Sequence, residues 1–210
     1  MSARQSKQRA ASPSQRRSQQ ERRETTRAQL LTAALEQLLE LGLLGFTTNE
    51  VCRRAGLSQG ALFKHFATKA ELLAEVIQHL FDELRTDFEA AVCALSPRSR
   101  TPRRCVALLW KQMLDPRLAA AFELYTAART DEHLRAALQP VVAAHVARIH
   151  VLAVQLFPTA SAKQLHATVE LAILAMQGLV LNQMALTDTG QRQRLTKLLD
   201  TIAPIMLGGK

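Results

Sequence analysis

Apolar residues recur every three or four positions through most of this chain, the period of an α-helix with one buried side. Leu30, Leu31, Ala34, Leu35, Leu38 and Leu39 form a first stripe that Gly42 ends. Leu72, Leu73, Val76, Ile77, Leu80, Phe81, Leu84 and Phe88 carry the same spacing over a longer stretch, so one helix is expected to bridge two regions. Thr101-Pro102 and Asp115-Pro116 each read as an N-cap followed by proline at the first helical position. The pattern predicts further helices over Pro102–Leu114, Pro116–Arg129, Asp131–Phe157, Ala162–Leu186 and Gln191–Met206, with a break or kink near Pro140. No stretch alternates in the way a half-buried strand does, and the expected fold class is all-α with about nine helices.

Residues 47–69 concentrate three helix starts. Thr47 with Glu50, and Thr68 with Glu71, have the spacing of a capping box, and Ser58 is a good N-cap. Gly56 closes the first of these helices, on which Val51, Cys52 and Ala55 face one way and Asn49 and Arg53 the other. In the second, Leu62 and Phe66 point inward, leaving Gly60, Ala61 and Lys64 outside. A short helix with small outward residues, presented across a tight turn, has the shape of a major-groove reader. Gln59 can pair with an adenine edge, Lys64 with guanine acceptors, and the Ala61 methyl with thymine, while Gly60 permits close approach. Thr48, Asn49, His65 and Lys69, with the Thr47 cap, are placed to meet phosphates.

The segment resembles the N-terminal domain of the tetracycline-repressor-like (TetR) family of bacterial transcription regulators. The likeness rests on Gly42 to Phe46, Thr47-Thr48, Ala55-Gly56-Leu57-Ser58, Phe63-Lys64-His65-Phe66 and Lys69, and is close over roughly residues 25–80. It departs at Phe63, where the family usually has tyrosine. Phenylalanine has no hydroxyl to donate to a phosphate, so Phe63 is left a packing or sugar contact. The resemblance implies a DNA-binding domain over 25–70 with its helix-turn-helix at 47–66, and a ligand-binding and dimerisation domain over 71–210; composition sets off residues 1–24 as a basic arm. Nine is also the family's usual helix count.

Charge and composition narrow the partners. The net charge is +9, and residues 1–27 hold eight Arg or Lys against two Glu, which gives +6 for that stretch. Residues 1–24 have almost nothing apolar to bury and are expected to be disordered, either following phosphates or serving as a solvated leader. Three cysteines, Cys52, Cys93 and Cys105, lack metal-ligand spacing. No secretory signal is visible, and the longest apolar run, Leu171 to Leu181, falls well short of the ~20 residues of a membrane crossing. A cytoplasmic protein without cofactor or metal is expected. The histidines offer only His166 with Glu170 at a ligand-like spacing, and with no nucleophile motif or phosphate loop an enzyme is not expected.

Residues 169–181 are apolar almost all round the helix, more than a lone subunit's surface tolerates. Ile173, Leu179, Val180, Leu198 and Ile202 are therefore the candidate contacts of a homodimer built from the last two helices, which would present two reading helices to a palindromic operator. Trp110, Met113, Phe122, Tyr125 and Met176, with His145, Gln177 and Asn182 as polar groups, are the candidate lining of a cavity for a lipophilic or aromatic effector. The expected function is a DNA-binding regulator, a repressor released by that effector. The alternative is an effector-independent structural DNA-binding protein of the same fold.

Overall fold

The computed structural model describes residues 13–183 and 189–206, with side-chain environments for 19–183 and 190–203. Among them the chain forms nine α-helices and no strand: α1 (Pro13–Gly45), α2 (Thr48–Ala55), α3 (Gln59–His65), α4 (Lys69–Cys93), α5 (Pro102–Met113), α6 (Leu118–Ala127), α7 (Glu132–Leu156), α8 (Ala162–Gln183) and α9 (Thr189–Met206), plus a 3-10 turn at Pro97–Ser99. The all-α reading holds.

The cap residues act where their spacing placed them. Thr47 Oγ1 accepts from the Glu50 N–H at 3.3 Å, Ser58 Oγ from Ala61 at 3.1 Å and Thr68 Oγ1 from Glu71 at 3.0 Å. The carboxylates differ from a full capping box. Glu71 reaches back to the Ala67 N–H at 2.7 Å, one residue before the cap, whereas Glu50 turns to Arg53 and Arg54. Gly56 ends α2 at φ 66, ψ 30, and the Leu57 N–H closes on Cys52 O at 2.9 Å, which turns the chain toward α3.

Four expectations need correction. Residues 13–24 are helical rather than disordered, continuing α1; their Gln, Arg and Glu side chains are good helix formers, and Gln20 donates to Glu24 at 2.9 Å one turn on. Residues 1–12 lie outside the described part. Helix α7 runs unbroken through Pro140. Asp115 and Pro116 do not start α6: Asp115 Oδ1 accepts from the Arg117 backbone N–H at 2.9 Å in a turn, and the helix begins at Leu118. Finally, α7 and α8 are each long and apolar enough to cross a membrane by composition, although here α7 packs against α4 and α8.

One apolar core runs from Leu30 in α1 to Ala203 in α9. Helices α1, α2 and α4 close over Leu38, Phe46, Leu62, Phe66 and Leu72, all at or below 1 % exposure, which fixes α3 from behind. Helix α1 also lies on α6, and α4 continues into a bundle with α5 and α7. Gly42 breaks α1 at φ 65, ψ −179. The bend is held twice: the Leu43 N–H donates to Glu123 Oε1 on α6 at 2.8 Å, and buried Gln37 donates to Gly45 O at 3.2 Å.

Candidate functional site

Helix α3 is seven residues long, and its inward side is spent on Leu62. Gly60 and Lys64 are exposed, Gln59 and Ala61 half-buried, and the Phe63 ring is 49 % exposed. A Cβ at Gly60 would come no closer than 3.9 Å to another atom, so glycine there is not demanded by packing within the subunit. The face carries no bulky aliphatic side chain, and a duplex groove could approach its backbone closely.

Of the expected phosphate residues, Thr48 and Asn49 are joined to Gln59, and Lys69 lies against Phe46 just before α2. Gln59 Nε2 donates to Thr48 Oγ1 at 3.2 Å and to Asn49 Oδ1, joining the first residues of α2 and α3. Exposed Lys69 donates to Phe46 O at 2.8 Å with its ammonium 5.2 Å from the Phe46 ring, which uses one of its three donors and leaves two for an outside acceptor. His65 is half-buried, and its Nδ1 has no partner among the described residues; burial, then Arg23 and Arg27, push its pKa down.

Sequence reasoning missed the scaffold behind these residues. Glu50 accepts from Arg53 at 2.7 Å and from Arg54 at 2.8 Å, and Arg54 also reaches Glu40 on α1 at 2.7 Å. These guanidiniums hold the Glu50 carboxyl at about 2. On the other side Arg27 pairs with Glu75 and lies 5.6 Å from the Phe66 ring, tying α1 to α4 and to the end of α3. The three- and four-residue spacing of Glu50, Arg53 and Arg54 was the available signal.

The second site is an apolar cavity of about 130 Å³ between α4, α5, α7, α8 and α9. Phe81, Phe88, Leu109, Ile149 and Leu152 line it. Of the sequence-expected effector residues, Met113 and His145 are there. The others are elsewhere. Trp110 donates through Nε1 to Thr196 on α9, and Phe122 and Tyr125 stack edge-on, 6.4 Å apart, on α6. Burial pushes the Tyr125 phenol up to about 12. Met176 is fully buried, Gln177 is half-buried and outside the cavity, and Asn182 donates to Gln191 at 3.0 Å in a shallow groove between α8 and α9. Arg85, Gln112 and Thr168 are the polar lining that periodicity did not single out.

His145 stacks on Phe81 with 3.9 Å between centroids. Burial, helped by Arg85 and Arg148 and opposed by Asp82, lowers its pKa to about 4 from an ordinary 6.5. The unfolded chain therefore binds more protons than the fold between those values. The stabilisation is fully present above pH 6.5 and is lost as pH falls toward 4. Urea midpoints should drop between pH 7 and 4.5 by the equivalent of about 2 kcal/mol, and His145→Phe should remove that part of the slope. Cys105 also lines the cavity, and burial pushes its thiol up, away from the thiolate that redox sensing requires.

The expected dimer contacts divide between inside and outside. Ile173 and Ile202 line the cavity, Leu179 is 5 % exposed and Val180 is half-buried against the core. Only Leu198 stands out, at 52 %, and beside it α8 exposes Leu171, Leu174 and Leu181, with Leu174 at 65 %. Those α8 positions are one face of a helix, with exposed Gly178 between Leu174 and Leu181.

Comparison with known proteins agrees with this architecture. Residues 30–76 match the family model of bacterial regulatory proteins, tetR family. The chain is 33 % identical over 134 residues to an uncharacterised HTH-type transcriptional regulator of Mycobacterium bovis, covering 64 % of this chain and 69 % of that one. It is 33 % identical over 127 residues to the HTH-type transcriptional regulator CymR of Pseudomonas putida, covering 60 % and 63 %. Among solved structures, a transcriptional regulator from Rhodococcus sp. Rha1 superposes with a TM-score of 0.63 at 23 % identity, covering 87 % of this chain and 94 % of that one. The multidrug binding protein EbrR superposes with 0.66 at 19 %, covering 86 % and 94 %. With its helix-turn-helix built on Thr47, Ser58 and Thr68 and carried by nine helices among the described residues, this protein belongs to the TetR family of DNA-binding transcriptional regulators and is not an enzyme.

Proposed function

We propose that the protein is a homodimeric repressor that reads a palindromic operator with α3 and leaves it when a small apolar effector fills the cavity. The observation that carries this reading is α4. It is one 25-residue helix whose first residue, Lys69, lies against Phe46 just before α2 and whose later turns supply Phe81, Leu84, Arg85 and Phe88 to the cavity wall. At 1.5 Å per residue, Lys69 and Phe88 are roughly 28 Å apart along one rod. A ligand that prefers a different α4 tilt lowers DNA affinity by its differential affinity for the two states. The solved structures of EbrR, complexed with imidazole and with ethidium, are of a multidrug binding protein with this fold, which suits an effector role for the cavity.

In this reading residues 47–66 are the helix-turn-helix of a DNA-binding domain over 25–70, residues 71–210 bind effector and partner, and the exposed row Leu171, Leu174, Leu181 and Leu198 is the dimer seam. Gln59, Gly60, Ala61 and Lys64 read bases, with Phe63 against sugar; Thr47, Thr48, Asn49, His65 and Lys69 position the helix on phosphates. Gln59→Ala should lose about 10-fold discrimination at one base pair of each half-site, whereas Lys69→Ala should weaken all sequences about equally. Selection from a randomised operator library separates the two outcomes, and a uniform loss with Gln59→Ala would remove that residue from base reading. For the whole proposal the test is recovery of genomic fragments by the intact protein at modest salt. A shared palindrome and release by a cavity-filling compound are the expected results; dense occupancy without a shared site would overturn it in favour of a structural DNA-binding role.

A further inference from the structure

The cavity holds more chemistry than an apolar effector needs. Arg85 lies one turn beyond Phe81 on α4, and Phe81 carries the stacked ring of His145 from α7. The terminal nitrogens of Arg85 are occupied, one by Asp82 at 2.9 Å and the other by Glu89 at 3.4 Å, but its buried Nε–H has no partner. His145 makes no hydrogen bond among the described residues, yet it borders the same space. Of the other polar groups on the wall, Thr168 donates to Gln164 O at 2.7 Å and Gln112 Nε2 donates to Leu84 O. Arg85, with an unpartnered Nε–H, and His145 thus border the same largely apolar chamber.

The charge around Arg85 is already balanced. Arg85 faces Asp82 and Glu89, and Arg148, at 2.5 Å from Asp82, adds the second cation to those two carboxylates. An anionic ligand would enter a low-dielectric chamber without a free cation to meet it, and a cationic one would compete with two arginines for the same carboxylates. A neutral hydroxyl suits the site from both sides. Its oxygen accepts from Arg85 Nε–H, and its proton goes to the bare nitrogen of a neutral His145 imidazole.

Resting on the effector reading above, we infer that the cavity selects uncharged, largely apolar ring compounds bearing one hydroxyl group, received between Arg85 Nε and the His145 ring. The apolar side chains Leu109, Met113, Ile149 and Leu152 line the same cavity and suit the ring of such a compound.

Calorimetric titration of the intact protein at pH 7.5 with 2-naphthol, naphthalene and 2-naphthoate tests this, because the three share a ring system and differ in the polar group. The expected order is 2-naphthol at least about 10-fold tighter than either of the others, with the preference over naphthalene falling to near one in His145→Phe. Arg85→Lys, which keeps the charge but moves the donor, should also erase the preference. Equal binding of naphthol and naphthalene, tightest binding of naphthoate, or a preference that survives both substitutions would overturn the hydroxyl assignment while leaving the cavity an effector site. Failure of every ring compound to bind would instead remove the effector reading, and this inference with it.

Discussion

Leu174→Glu combined with Leu198→Glu is expected to turn the protein into a folded monomer that has lost at least about 100-fold in affinity for its full operator, because the second half-site is no longer delivered at high effective concentration. Both side chains are more than half exposed in the single subunit, so the substitutions leave its core intact. In a two-fold seam each would be buried against the apolar seam of the partner, where an unpaired carboxylate costs several kcal/mol. Gly178, exposed between Leu174 and Leu181, has nothing within 4 Å of a would-be Cβ, so a partner helix can come close there. Light scattering reads the mass and fluorescence anisotropy on full and half operators reads the affinity. A dimer that persists with both glutamates, or a monomer that still binds the full operator tightly, would move the seam elsewhere. Leu179→Glu is a poor test by contrast, since at 5 % exposure it disrupts the subunit itself.

That contrast marks where the sequence was legible. Short helices with polar caps announce both their ends and their phase: Thr47, Ser58 and Thr68 set the starts, Gly56 the turn, and the Leu62–Phe66 pair the buried side. Helix α8 has no such phase. It is apolar on every side, so counting residues could not distinguish Leu179, which faces the core, from Leu174, which faces out. The cavity was harder still. Large aromatic residues were natural candidates, but Trp110, Phe122 and Tyr125 lie outside the cavity, which is lined instead by Phe81 and Phe88 together with aliphatic side chains. What no pattern along the chain supplies is the pairing of distant segments, such as Leu43 with Glu123 or Arg148 with Asp82.

The Leu43–Glu123 pairing makes Gly42 the most sensitive single position linking the two ends of the protein. At φ 65, ψ −179 it occupies a region of backbone space that is essentially reserved for glycine, and a residue forced into it costs about 1–3 kcal/mol. The added Cβ would stand 3.0 Å from Glu123 Oε1, the same atom that accepts the Leu43 N–H at 2.8 Å. Moving that carboxylate aside gives up a charge-assisted hydrogen bond of about 1.5–3 kcal/mol and strips the end of α1 of its anchor on α6. Gly42→Ala should therefore destabilise the protein by about 3–5 kcal/mol, a fall in Tm on the order of 10 °C at this size. The damage should also be directional. Because α1 covers α2 and α4 while its end is fixed to α6, loosening the bend should weaken operator binding more than ligand binding in the cavity, which α1 does not line. Glu123→Gln separates the two causes. It retains an acceptor for the Leu43 N–H without the charge, so it should recover most of the stability while leaving Gly42 undisturbed. Denaturation midpoints and operator titrations on both variants decide the matter: a Gly42→Ala protein as stable as the parent would show that the bend stores no constraint, and equal losses in ligand and operator binding would show that the anchor does not act on the reading helices in particular.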